Sequence, residues 1–329
     1  MRKSTLVLIS FLAFLMMAEP ASAYWVWSPD IGKWVNPKKS AKDTPEDQFA
    51  WALDFYNRKD WDRAIGEFEK LPEVFPTSKL AAEGVYYTGL CWEEKGDIAK
   101  AADNYQKLID KYPYSDRIKE TIHREFDIAN KFAQGNKMKV LGMAVLSGQD
   151  KALELYKHIV KNAPYGTYGD QAQFQMGELY KNQGEYEEAQ KAYQAVVDEY
   201  PNSELVAKAR YQIANMSMLA SKKSQYDEKH AEKAIEEFEG FKNNFPTSEQ
   251  SLEAEESIKA LRESKAKVNF DIAAFYDKQK KYESAKVYYQ EVIKKYPETA
   301  VAAKAKTRVE EIIAGEGKPA APKKKFILW

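Results

Sequence analysis

One register of three residue types constrains this chain more than anything else in it. Six prolines, Pro76, Pro113, Pro164, Pro201, Pro246 and Pro297, stand in FPTS, YPYS, APYG, YPNS, FPTS and YPET. Twelve residues before each is an alanine: Ala64, Ala101, Ala152, Ala189, Ala234 and Ala285. Eight residues before each is an aromatic: Phe68, Tyr105, Tyr156, Tyr193, Phe238 and Tyr289. Six upstream segments read aromatic-x-x-small, at Phe49/Ala52, Tyr86/Gly89, Phe126/Ala129, Phe174/Gly177, Tyr211/Ala214 and Phe270/Ala273. Alanine and aromatic four apart share one helix face, and proline ends that helix because it lacks an N–H and clashes with the preceding turn. Small residues upstream mark a second helix that packs closely against the first. An irregular bundle has no reason to repeat one register six times.

This is the pattern of tetratricopeptide hairpins, so the fold class expected is all-α: a tetratricopeptide superhelix of five to six repeats, with a short Trp-rich N-terminal hairpin. The proline spacings of 37, 51, 37, 45 and 51 exceed the usual repeat of about 34 residues, and the excess locates insertions. Gln134 to Gln149 interrupts the third repeat and is partly apolar, and Ser221 to His230 lengthens the turn of the fifth. Thr247 to Lys265 contains no breaker, so the first helix of the sixth repeat starts early and runs to about 30 residues. Thr299 to Ala314 reads as an amphipathic closing helix, the polar cap such arrays need. The domain reading is a signal peptide over 1–23, a Trp-rich hairpin and linker over 24–44, the array with its closing helix over 45–314, and a flexible tail over 315–329.

Arg2 and Lys3, an apolar run from Leu6 to Ala18 and the small residues Ala21-Ser22-Ala23 make a secretory signal, with cleavage between Ala23 and Tyr24. Removing Arg2, Lys3 and Glu19 leaves a net charge of −1. Export to a periplasm follows. Tyr24 to Asn36 reads as two short aromatic strands around a Ser-Pro-Asp-x-Gly turn. The tail is a Gly/Pro/Ala/Lys linker followed by Phe326-Ile327-Leu328-Trp329, either a frayed end or a docking peptide.

The 50 Lys+Arg and 50 Asp+Glu balance, which argues against a nucleic-acid partner. One cysteine, Cys91, excludes an intrachain disulfide. His123, His158 and His230 are isolated, and no nucleophile elbow, phosphate loop or dinucleotide glycine motif occurs. No catalytic, cofactor-binding or metal site is therefore expected, and the chain reads as no enzyme. Function falls to the concave face, where first helices would offer a peptide groove: Phe49, Leu53, Tyr56, Tyr86, Leu90, Glu93, Phe126 and Asn130. The alternative is that these aromatics pack between neighbouring helices. The apolar insertion (Met138, Leu141, Met143, Leu146) either folds over its own repeat or meets a partner, and Trp25, Trp27 and Trp34 either dock on the first repeat or touch lipid head groups.

Y-P-x-S closures, extra length in the middle repeats, the final unit NFDIAAFYDKQKKYESAKVYYQEVIKKYPET and the long helix before it (SLEAEESIKALRESKAKV) together resemble the BamD family. That family supplies the tetratricopeptide component of the outer-membrane β-barrel assembly machinery, and the resemblance covers about residues 45 to 314. It implies a periplasmic scaffold associated with the outer membrane. It also implies two partners: a BamA-like protein through its POTRA region, and targeting segments of unfolded outer-membrane proteins. Within the family the first three repeats go with substrate and the later ones with the complex, here Phe49–Pro164 and Asp170–Pro297. One departure stands out. The family is lipidated at a cysteine after the signal, whereas Tyr24-Trp25 follow Ala23, so peripheral membrane association would need another route. The alternative family is that of the TolA-binding tetratricopeptide proteins of envelope coordination and cell division, but their trimerising coiled coil has no counterpart before residue 45. A wall-modifying enzyme or sugar binder lacks the paired carboxylates it would need.

Overall fold

The computed structural model describes residues 26–28, 32–35, 40–135, 138–140, 143–146, 148–223 and 228–316. The signal with its Ala23/Tyr24 cleavage point, Trp25, Leu141 and the tail from residue 317 lie outside them. Six helix pairs run in chain order: α1 (Pro45–Asn57) with α2 (Trp61–Val74), α3 (Lys79–Glu94) with α4 (Ile98–Lys111), and α5 (Ile118–Ala133) with α6 (Gly148–Asn162). Next come α7 (Gly169–Gln183) with α8 (Tyr186–Glu199), α9 (Val206–Lys223) with α10 (Glu228–Asn244), and α11 (Gln250–Lys278) with α12 (Tyr282–Lys295). Helix α13 (Ala300–Glu316) closes the set. The fold is the all-α tetratricopeptide array, and α11, at 29 residues, is the long helix the sequence predicts. The chain divides into two compact units, 1–121 and 122–329, with the division inside α5.

Two antiparallel hairpins accompany the helices. β1 (Val26–Ser28) pairs with β2 (Lys33–Val35), Trp27 opposite Trp34, with Gly32 at φ +61° in the turn. In the third-repeat insertion, β3 (Met138–Val140) pairs with β4 (Met143–Leu146). The insertion thus has a secondary structure of its own, which its composition does not announce.

The proline loops work as two-sided punctuation. A residue before proline is pushed out of the helical basin, and Phe75, Tyr112, Tyr200 and Tyr296 lie at φ from −122° to −134° while their N–H groups still donate four residues back. Two residues past the proline, the hydroxyls of Ser78, Ser115, Ser203 and Thr299 accept from the N–H groups of Leu80, Arg117, Leu205 and Ala302 at 3.1–3.2 Å. One Pro-x-Ser/Thr segment therefore stops one helix and caps the next. The short turns inside four of the pairs use a left-handed residue, supplied by Gly96 and Gly184 but also by Lys59 and Lys280 (φ +59° and +62°).

The recurring residues form the core. All six register alanines are fully buried, and Phe68, Tyr105, Tyr156, Tyr193, Phe238 and Tyr289 are buried with them. Buried clusters follow the helix pairs, one around Phe68 in the first unit and others around Tyr193, Phe238 and Tyr289 in the second, as expected of repeats that contact chiefly their neighbours. Each large ring buried this way stabilises its pair by about 1.5–3 kcal/mol. Gly177 is small for a specific reason: a methyl there would lie 2.5 Å from Cε1 of Tyr193.

Candidate interaction surfaces

Helices α1 and α3 carry the first groove residues, and their side chains divide by environment. Phe49 packs on Phe68 and Tyr87 with ring centroids 5.7 and 5.4 Å apart, and Tyr56 meets Trp61, Phe68 and Tyr87. Both are half-buried, as are Leu53, Leu90, Glu93 and Asn130. Tyr86 and Phe126 are buried. Tyr86 lies against Tyr105 under the Arg117 guanidinium, while Phe126 stacks on Tyr168 and tilts against Tyr156.

Glu93 and Asn130 take part in a device that recurs. Tyr105 Oη donates to Glu93 at 2.5 Å, Tyr156 Oη to Asn130 at 2.6 Å, Tyr193 Oη to Glu178 at 2.6 Å, and Tyr289 Oη to Asp277 at 3.4 Å. A buried phenol needs such a partner. The acceptor stands one or four residues after the small residue of the first helix, two positions that share a helix face. Burial and Asp277 push the Tyr289 phenol up to about 12, so it stays a donor. The first repeat, which carries Phe68 instead of tyrosine, has Leu53 and Tyr56 at the two acceptor positions. The fifth repeat also carries phenylalanine, Phe238, yet has Asn215 at the nearer position, so the tyrosine needs the acceptor but the position is not reserved for it. Buried glutamines add a second tie: Gln48 Nε2 donates to the Glu67 carbonyl at 2.8 Å, and Gln173 Nε2 to the Ala192 carbonyl at 3.1 Å.

Open space in the first unit lies at the proline loops. A cleft of about 400 Å³ runs between Pro76–Lys79 and Lys111–Asp116, and another of about 380 Å³ lies on the far side of Lys111 and Tyr112. Tyr114, which projects from the loop with 99% of its surface exposed, borders the first. Tyr165 holds the same place after Pro164 in the second unit and is also exposed. The groove prediction misses both tyrosines, although the residue after each loop proline marks them.

Trp27 and Trp34 meet edge to face at 5.8 Å, and both are exposed. Met138, Met143 and Leu146 fall on the β3–β4 hairpin. Cys91 is buried in the first-unit core, and burial pushes its thiol up to about 12. Among the described residues no group of three or more His, Cys, Asp or Glu is placed to hold a metal ion. No described helix is long and apolar enough to cross a membrane.

Residues 49–116 match the tetratricopeptide-repeat family, which agrees with the helix pairs found there. The molecule is a tetratricopeptide scaffold, a class built to hold other proteins. Residues 147–325, more than half of the chain, match the YfiO family, described as outer membrane lipoprotein. The chain belongs to that family, the family of BamD. Its members are outer-membrane-associated periplasmic proteins whose scaffolds are non-catalytic interaction modules with a role in outer-membrane assembly. No curated protein matches the sequence. Among solved structures, the C-terminal part of a repeat protein from Cytophaga hutchinsonii is 15% identical over 80% of this chain and 88% of its own, with TM-score 0.35. A tetratricopeptide protein from Parabacteroides merdae is 14% identical over 82% of this chain and 98% of its own, with TM-score 0.33.

Proposed function

We propose that this chain is a non-enzymatic scaffold of the outer-membrane β-barrel assembly machinery. In this reading it binds the POTRA region of a BamA-like protein and receives targeting segments of unfolded outer-membrane proteins. The observation that carries the reading is the family match over residues 147–325. Physical chemistry supports the role: an unfolded barrel strand exposes unpaired backbone and alternating apolar side chains, and a groove that shields them keeps the segment from pairing with others. Within the predicted groove, Leu53, Tyr56 and Leu90 retain exposed surface, and we assign substrate contact to them. Tyr86, Phe126, Glu93 and Asn130 are assigned to holding the repeats in place.

Affinity purification from the native envelope tests the reading. Co-isolation of a POTRA-bearing barrel protein is the expected result, and recovery of Tol or division proteins in its place would sink it. Membrane attachment is assigned in part to the exposed tryptophan pair of the β1–β2 hairpin, since indole rings are favoured at head-group depth. Deleting residues 24–36 should shift the protein toward the soluble fraction. Unchanged fractionation would remove the hairpin from the account.

A further inference from the structure

The turn between α11 and α12 is strongly basic. Lys278, Lys280 and Lys281 are all exposed, and Lys280, like Lys59 in the first turn, holds the left-handed conformation that Gly96 and Gly184 hold elsewhere. Two aromatics flank the lysines: Phe275, 58% exposed, and Tyr282, 38% exposed. The acids around them are engaged by other cations. Asp277 accepts from Arg308 Nε at 2.6 Å and Nη2 at 3.0 Å, Glu311 accepts from Arg308 Nη1 at 2.5 Å, and Glu283 pairs with Lys286 at 2.8 Å. Lys281 Nζ lies 6.0 Å from the Tyr276 ring, and among the described residues neither Lys278 nor Lys280 has an ion-pair partner. The positive charge of this turn is therefore left facing water.

The same end of the molecule carries more. A cleft of about 360 Å³ is lined by Tyr282 together with Arg308, Glu311, Ile312 and Gly315, so the turn sits beside the last turn of α13. Unpaired lysines interleaved with exposed aromatics are what an anionic bilayer surface recognises: the ammonium groups meet phosphate, and the rings settle at head-group depth.

We propose that this end of the last repeat binds anionic phospholipid, with Lys278, Lys280 and Lys281 on the head groups and Phe275 and Tyr282 at the interface. The site is separate in sequence from the N-terminal hairpin and does not depend on which proteins the scaffold holds. Each basic residue near an anionic surface is worth about 1 kcal/mol, so three together set a roughly hundredfold difference in partition.

The test is co-sedimentation of the full chain with vesicles. The expected result is strong binding to phosphatidylethanolamine vesicles that contain phosphatidylglycerol, much weaker binding to phosphatidylcholine vesicles, and a roughly hundredfold weaker partition on the anionic vesicles for the triple variant K278Q/K280Q/K281Q. Phe275→Ser should weaken binding further while leaving the melting transition in place. Equal binding to the two vesicle types, or unaltered binding of the triple variant, overturns the proposal. A salt titration of the unmodified chain tests the same point without any variant, because binding that does not fall with ionic strength is not electrostatic. If the triple variant loses an envelope protein while the unmodified chain never binds vesicles, the patch is a protein-docking surface and the lipid proposal fails. The scaffold reading survives that result.

Discussion

Tyrosine at the buried position of the second helix brings two demands, a partner for its hydroxyl and room for its ring. Tyr193 meets the first through Glu178 at 2.6 Å and the second through Gly177. Because the hydroxyl is tied down, the ring cannot swing away from an added methyl. Gly177→Ala should therefore destabilise the second unit by up to about 2 kcal/mol, an overpacking cost of about 1–3 kcal/mol partly offset by about 1 kcal/mol of helix propensity. Urea unfolding of the two proteins measures the difference, and a stabilised variant would mean that the ring has room to move. Cys91 is the other residue whose environment decides its behaviour. Burial holds its thiol neutral, and the thiolate is the reactive form, so a thiol reagent should label it only as the first unit unfolds. Labelling at the native rate of an exposed cysteine would contradict the packing around it.

At the scale of elements, the Pro-x-Ser/Thr loops join one helix pair to the next. The proline acts on the helix behind it, and the hydroxyl acts on the helix ahead. Ser203→Ala removes the acceptor for the Leu205 N–H at the entrance to α9, and should cost about 0.5–2 kcal/mol. Thermal unfolding reads the loss, and Ser203→Thr should recover most of it. Helix ends of this kind are legible in sequence because their causes are local. The Ala and aromatic register shows which helix faces are buried for the same reason: four residues along a helix is a fixed geometry. The Gln48 and Gln173 ties, the tyrosine acceptors and the β3–β4 hairpin were not legible. Each depends on what lies across a helix–helix contact or a strand pair, which no spacing along one element encodes.

On the scale of the whole molecule, each repeat is stabilised chiefly by its neighbours, so the last pair depends on α13. Arg308 of α13 grips Asp277 of α11 with two hydrogen bonds and holds its carboxyl below the ordinary value of 3.8. A carboxyl depressed on folding adds stability that is complete above its unfolded value and is lost as pH falls through its folded one. The closing helix should accordingly loosen as pH drops below 3.8. Hydrogen exchange in acid should then show α13 opening ahead of α7 and α8, and Asp277→Asn should remove that pH dependence. Uniform protection across the unit at low pH would place the stability of the last pair elsewhere. The candidate groove belongs to this scale too. Its aromatics were readable as repeat positions, but whether each faces solvent or a neighbour was decided by packing, which buried Tyr86 and Phe126 and left Leu53, Tyr56 and Leu90 partly open.

By itself the sequence determined the six helix pairs, their ends and the lengthened α11, because propensity, periodicity and the stereochemistry of proline act within a few residues. Tertiary structure alone decided which polar groups were spent on internal ties and which stayed free. Glu93 and Asn130 look like surface residues until a tyrosine hydroxyl arrives from the next helix. Lys278 and Lys280 look like ordinary helix-end charges until Arg308 and Lys286 have taken the acids beside them. A side chain's desolvation and its partners are properties of the packed assembly, and the order of residues along the chain does not contain them.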